Sequence, residues 1–125
     1  MIAPAIAPAL ALGLMFVVTS APKAMAGETV SQGQFVGENK HITTGSVTIE
    51  KEGDRYVVIL GPEFSLDGAP DPRLGFSKGG TYDRDTTFSK LKSLNGRQVY
   101  ELPKNISVKA YDTFVVWCEK FGVSL

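Results

Sequence analysis

The hydrophobic positions of this chain fall into short runs with the period of β-strands. Residues 45–50 alternate, Val47 and Ile49 facing one way and Ser46, Thr48 and Glu50 the other, as in a half-buried strand. Arg55–Leu60 is β-branched or aliphatic on both faces, so it is expected nearer the middle of a sheet. The polar residues 51–54 link the two, and Gly53 supplies the positive φ that such a turn needs, which makes this the clearest hairpin in the chain. Gln98–Leu102, stopped by Pro103, and Thr113–Cys118 repeat the strand pattern, and residues 121–125 have the composition of a last short strand.

Weaker signals fill the gaps. Residues 27–36 read as a lead-in whose first strand contact is 34–36. Gly61-Pro62 ends the second hairpin strand, and 64–66 is expected as a short edge element. Residues 67–72 hold two prolines and a glycine, which predicts a fixed loop, and Pro72 biases Asp71 away from the right-handed α region. A short strand is expected at 74–76, followed at 78–85 by the most flexible and polar stretch. Phe88, Leu91 and Leu94 are three apart, which predicts one or two helical turns or a coiled edge segment before Asn95-Gly96 turns the chain. There is no internal repeat and no low-complexity tail. The expected fold is all-β: a single-domain β-sandwich or small Greek-key-like barrel of seven to eight short antiparallel strands.

The N-terminus follows a different pattern. Residues 2–21 are almost entirely apolar and are followed by Ala24-Met25-Ala26, the small-x-small form that signal peptidase accepts. The expectation is a secretory signal peptide over residues 1–26, cleaved after Ala26, and one mature domain over 27–125. No Lys or Arg precedes the apolar run, so the signal is atypical or the start methionine is placed late. A retained N-terminal membrane anchor is the main alternative, since the run approaches the roughly 20 residues that span a bilayer, although Pro4, Pro8 and Pro22 interrupt it. A buried N-terminal helix is the third. No cysteine follows the run, so a lipoprotein-type anchor lacks its acceptor. The protein is therefore expected to be exported to a periplasm, lumen or extracellular space.

Removing that segment changes the composition that bears on function. Of 13 Lys plus Arg and 13 Asp plus Glu, only Lys23 is lost, leaving 12 against 13 in 99 residues. That balance provides no electrostatic footprint for nucleic acid and no charge block for an anionic membrane. All three methionines lie in residues 1–26, so the mature chain keeps one cysteine, Cys118, and one histidine, His41.

These counts exclude much redox chemistry. A blue-copper centre needs two histidines, a thiolate and usually an axial methionine; a c-type haem needs Cys-x-x-Cys-His; iron–sulfur and structural zinc sites need several Cys or His. A non-covalent haem with Cys118 or His41 as ligand remains compatible with the composition. Thioredoxin-like exchange needs a second cysteine, so a redox cycle at Cys118 requires an external thiol or a sulfenic acid. Strand alternation puts Phe114, Val116 and Cys118 on one face and Val115 and Trp117 on the other. Cys118 is thus a packed core thiol or a functional one whose pKa Lys109 or Lys120 could lower. Trp117 is a core anchor, a redox relay or a ligand platform. His41 is a loop histidine hydrogen-bonded to backbone or to Asp71, or a base or second ligand across from Cys118. Asp71, between two prolines, is a loop-bracing acceptor in preference to a catalytic acid. No Gly-x-Ser-x-Gly or phosphate-binding loop is present, no catalytic or metal set is assigned, and an independent enzymatic activity is not expected.

Taken in order, Gln34-Phe35, His41-x-x-x-Gly45-x-Val47, Phe64, Ala69-Pro70-Asp71, Leu91-x-x-Leu94-x-Gly96-x-Gln98-x-Tyr100-x-Leu102-Pro103 and Tyr111-x-x-x-Val115-Val116-Trp117-Cys118-x-x-Phe121 resemble the DM-thirteen domain, a small secreted β-rich module. The resemblance runs from about residue 33 to 125. It implies an electron-transfer or redox module, a description that rests on a characteristic cysteine falling here on Cys118. Two departures stand out. Ala69-Pro70-Asp71 replaces a usual Gly-Pro-Asp, and the hydrophobic strand expected next is interrupted by Pro72, Arg73 and Gly75. The combined expectation is an extracytoplasmic redox or electron-transfer accessory module acting through Cys118, with His41, Trp117 and Asp71 as further candidates. Its partner would be an envelope redox protein or a membrane partner, the domain itself a monomer or a dimer disulfide-linked through Cys118. The alternative is a non-catalytic envelope binding or structural module with a core cysteine.

Overall fold

The computed structural model describes residues 27–125, so the signal-peptide expectation for residues 1–26 lies outside the described residues. Strands β1 (Glu28–Gln34), β3 (Ser46–Glu52), β4 (Arg55–Leu60) and β9 (Gln98–Leu102) form one antiparallel sheet in the order β1-β3-β4-β9. The second sheet runs β11-β10-β6-β7, built from β6 (Pro72–Lys78), β7 (Thr81–Asp83), β10 (Thr113–Cys118) and β11 (Val123–Ser124), with β8 (Ser89–Lys90) also paired to β6. A two-residue ladder joins β2 (Thr43–Thr44) to β5 (Ser65–Leu66). The fold is all-β and antiparallel, with more strands than the pattern predicts, four of them two residues long.

The two sheets pack face to face because their alternating positions converge. Val47, Ile49, Val58, Leu60, Tyr100 and Leu102 from the first sheet meet Leu74, Phe76, Val116 and Cys118 from the second in one core cluster. β4 is central, as its two-faced apolar pattern predicts, with Val58 and Leu60 wholly buried. The β3–β4 hairpin closes at Gly53, φ +67°, where a side chain would be strained.

Three local expectations differ from the structure, and a fourth is decided between its two alternatives. β6 is a continuous seven-residue strand, with Pro72 at its first position, where the missing N–H costs no ladder bond. Residues 78–85 are an ordered hairpin turned at Gly79-Gly80 and followed by a 3₁₀ turn, Arg84–Thr86. Its polar residues are used locally: Asp83 Oδ1 accepts from Asp85 N at 3.0 Å, and Phe76 N donates to buried Thr86 Oγ1 at 2.8 Å. Residues 88–94 form no helix but the coiled edge segment, because Phe88 N and Leu91 N donate to Leu74 O and Pro72 O of β6. The first strand lies earlier than 34–36, as the exposed polar edge β1.

A buried polar node holds β9 to the preceding loop. Gln98 Nε2 donates to Ser93 O (2.9 Å) and Gly96 O (3.2 Å), while its Oε1 accepts from Tyr100 Oη (2.6 Å) and Ser93 N (3.3 Å). Tyr100 Oη in turn accepts from Lys92 N at 2.9 Å. Gln98→Leu keeps the bulk but strands these groups, and is expected to cost about 1–3 kcal/mol in denaturant unfolding. A shift under about 0.5 kcal/mol would mean that the node does not hold the loop.

Candidate functional site

The register of β10 on β6 sets Cys118 opposite Pro72 and Trp117 opposite Arg73. Alternation then points Cys118 into the core and Trp117 to the outer face of the same strand. Cys118 is only 1% exposed, and its thiol donates to Pro70 O at 3.2 Å. Residues 67–72 therefore pass over the sulfur as a strap.

Three loops meet at this end of the sandwich. Glu119 N donates to Asp71 O (3.1 Å) and Gly122 N to Cys118 O (2.8 Å), which ties the β10–β11 turn to the strap and the strand. Asp67 N donates to Ile42 O (3.1 Å), and Asn39 Nδ2 donates to Ser124 O (2.8 Å), so the hairpin tip at 38–42 docks on both. The tip is tight: Asn39 and Lys40 both have positive φ, 52° and 69°.

His41 is bonded to Asp67, with Nδ1 3.0 Å from Oδ1. The β2–β5 register explains this pairing, since Thr43 faces Leu66 and so brings the residues flanking that ladder together. The His41 hydrogen bond, reinforced by the Ile42 backbone, holds the Asp67 carboxyl below its usual range. His41 is thus not joined to Cys118 or to Asp71; each of the three has another partner. Asp71 sits at φ +54°, outside the right-handed α region but in the left-handed one, not in the extended region that a following proline favours. Both of its oxygens accept from Arg73, Nε at 3.0 Å and Nη2 at 2.9 Å, and this fork holds its carboxyl below the usual range.

Trp117, 8% exposed, stacks flat on Tyr82 with ring centroids 4.1 Å apart and planes 10° from parallel. The Arg84 guanidinium lies 5.4 Å from the indole centre and donates to Glu119 at 3.3 Å. Trp117 Nε1 is buried with no hydrogen-bond partner among the described residues. Tyr82 crosses Gly75, where any side chain would collide with its phenol, and its Oη shares a 2.5 Å hydrogen bond with Thr87 Oγ1. Desolvation pushes the Tyr82 phenol above its usual pKa.

The arrangement is a sealed thiol on one face of a strand and a stacked indole–phenol pair on the other, one residue apart. Lys120 lies instead over Phe121, 5.7 Å from the ring, and Lys109 is on the 3₁₀ turn Val108–Ala110. Among the described residues no three His, Cys, Asp or Glu side chains gather as a metal-binding group. With the Pro70 carbonyl against its sulfur, Cys118 could reach a haem iron only if residues 67–72 were displaced.

The pattern of the family described as electron transfer DM13 matches residues 34–125, from the end of β1 to the last residue of the chain. The chain belongs to the DM13 family. No curated protein and no solved structure matches it. Within this DM13 domain, the sequence alone misses Tyr82, Arg84, Asp67 and the Pro70 carbonyl. Tyr82 and Arg84 lie in the stretch that reads as flexible, and only the β6–β7 pairing carries Tyr82 back over the sheet. A phenol flanked by Gly79-Gly80 and Asp83 was the available signal for an ordered hairpin.

Proposed function

We propose that this DM13 domain is an extracytoplasmic redox or electron-transfer accessory module in which Cys118 is the redox group and the Trp117–Tyr82 stack is its route to the surface. The family's description supports the general role. The observation that carries the finer reading is the placement of a lone protected thiol one residue from a stacked, partly covered Trp–Tyr pair. A thiol buried under a strap does not reach a partner at rest, so its attack on a partner's disulfide, which forms a mixed disulfide and releases the partner's other sulfur as a thiolate, requires residues 67–72 to lift. A dimer linked through Cys118 requires the same opening. The reading gives the domain no turnover of its own and makes an envelope redox protein its partner.

A second reading, an envelope binding or structural module, is favoured by the 1% exposure of Cys118. Thiol labelling of the native protein followed by mass separates the two. Under the redox reading, Cys118 labels through local opening, at a rate independent of low denaturant concentrations. Labelling only on global unfolding would assign the cysteine to the core.

A further inference from the structure

We propose that the cleft between β1 and β10 is a binding site for a small organic cation with a flat apolar body. This goes beyond the redox reading and does not depend on Cys118. The cleft exists because β1 is under-filled on its inner side. Gly33 pairs with Val47 and Ser31 with Ile49, so these two small residues share the face on which Val47 and Ile49 enter the core. A Cβ at Gly33 would meet nothing within 4 Å, and its φ is not positive, so no backbone demand explains the glycine. The space left is a cleft of about 290 Å³.

Its walls decide what it would hold. Phe35, Phe76, Tyr111 and Phe114 line it, with Phe114 6.2 Å from Phe35 and 5.3 Å from Phe76, both edge-to-face, and Tyr111 5.7 Å from Phe76. The partly exposed rings of Phe35, Tyr111 and Phe114 offer a flat body contact, and aromatic faces are negative, while Phe76 is buried behind them. Among the described residues, the charged ones that line the cleft are Glu38 and Asp112, and no described Lys, Arg or His lines it. Asp112 accepts from Gly79 N at 2.9 Å and from Thr113 Oγ1 at 2.8 Å, bonds that favour its ionised form. Lys78 lies close enough to act on Asp112, so the acidic character of the rim rests on Glu38; aromatic walls beside that carboxylate attract a cation, tolerate a neutral molecule and repel an anion.

Calorimetric titration of the purified full-length protein with three isosteric probes tests this: 1-naphthylmethylammonium, 1-naphthalenemethanol and 1-naphthoate. The ammonium is expected to bind about tenfold tighter than the alcohol, with the naphthoate weakest. Gly33→Leu fills the open space and should weaken ammonium binding at least about tenfold without lowering the thermal midpoint. Glu38→Gln, on the exposed rim, should narrow the gap between ammonium and alcohol while leaving alcohol binding unchanged. Equal affinity for ammonium and alcohol would assign a neutral apolar ligand and overturn the proposal. So would no binding of any probe, or undiminished ammonium binding by a folded Gly33→Leu protein.

Discussion

Replacing Phe64 by alanine is expected to lower the free energy of unfolding by about 3–5 kcal/mol. The ring is 1% exposed, belongs to the core cluster, and packs edge-to-face on Phe35 at 5.2 Å and 65°. Its backbone is held on both sides: Phe64 N donates to Gly61 O at 3.0 Å, and Phe64 O accepts from Gly96 N at 2.9 Å. The walls around a truncated side chain therefore cannot close in, and the cavity term stays near its full size. Against a typical total of about 5–15 kcal/mol, such a loss takes a third or more of the stability. The thermal midpoint of a domain this small should fall by about 15 °C or more. Thermal and denaturant unfolding both read the change. A cost under about 1 kcal/mol would show that the ring is not enclosed between the sheets.

The strands that were legible from sequence are those whose burial follows a two-residue period without interruption. β9 is the cleanest case, with Gln98, Tyr100 and Leu102 inside and Val99 and Glu101 outside. β4 and β10 carry enough β-branched and aromatic residues to declare themselves even where both faces are covered. β6 was under-read because Pro72, Arg73 and Gly75 each weaken a local strand signal. In the fold each has a place: Pro72 opens the strand, Arg73 forks onto Asp71, and Gly75 makes room for Tyr82. β1 has no hydrophobic alternation to detect, since its order comes from pairing with β3.

The candidate site was legible only along the strand. Alternation over Thr113–Cys118 puts Cys118 with Phe114 and Val116 on one face and Trp117 with Val115 on the other, and the structure turns the Cys118 face into the core. What crosses between segments was not legible: the Pro70 carbonyl over the sulfur, Tyr82 over the indole, and Asp67 as the partner of His41 are set by ladder registers. Several residues that carry the family resemblance prove to hold backbone in place. Gln98 and Tyr100 pin the loop at 92–96, and Gly45 lets the segment at Phe64 come close. The resemblance therefore speaks more strongly for the fold than for the chemistry.

Gly45 gives the sharpest test of that statement. Its φ is +103°, and a Cβ built there would lie 2.5 Å from Phe64 Cα, 2.7 Å from Phe64 N and 3.0 Å from the Glu63 carbonyl carbon. Those atoms are backbone and cannot rotate away. They are anchored by the Phe64 hydrogen bonds to Gly61 and Gly96 and by the β2–β5 ladder on the following residues. Gly45 cannot retreat either, because its carbonyl accepts from Phe35 N at 2.8 Å, so any shift moves a second core ring. Gly45→Ala combines a strained backbone conformation, about 1–3 kcal/mol, with overpacking of similar size, and is expected to cost at least about 3 kcal/mol. Gly53→Ala is the matched control: φ is +67°, but nothing lies within 4 Å of its Cβ, so only the conformational part, about 1 kcal/mol, applies. The difference between the two variants in denaturant unfolding isolates the contact with the Phe64 backbone. Equal costs would mean that the β2–β5 segment does not press on Gly45, and that this glycine is kept for its turn alone.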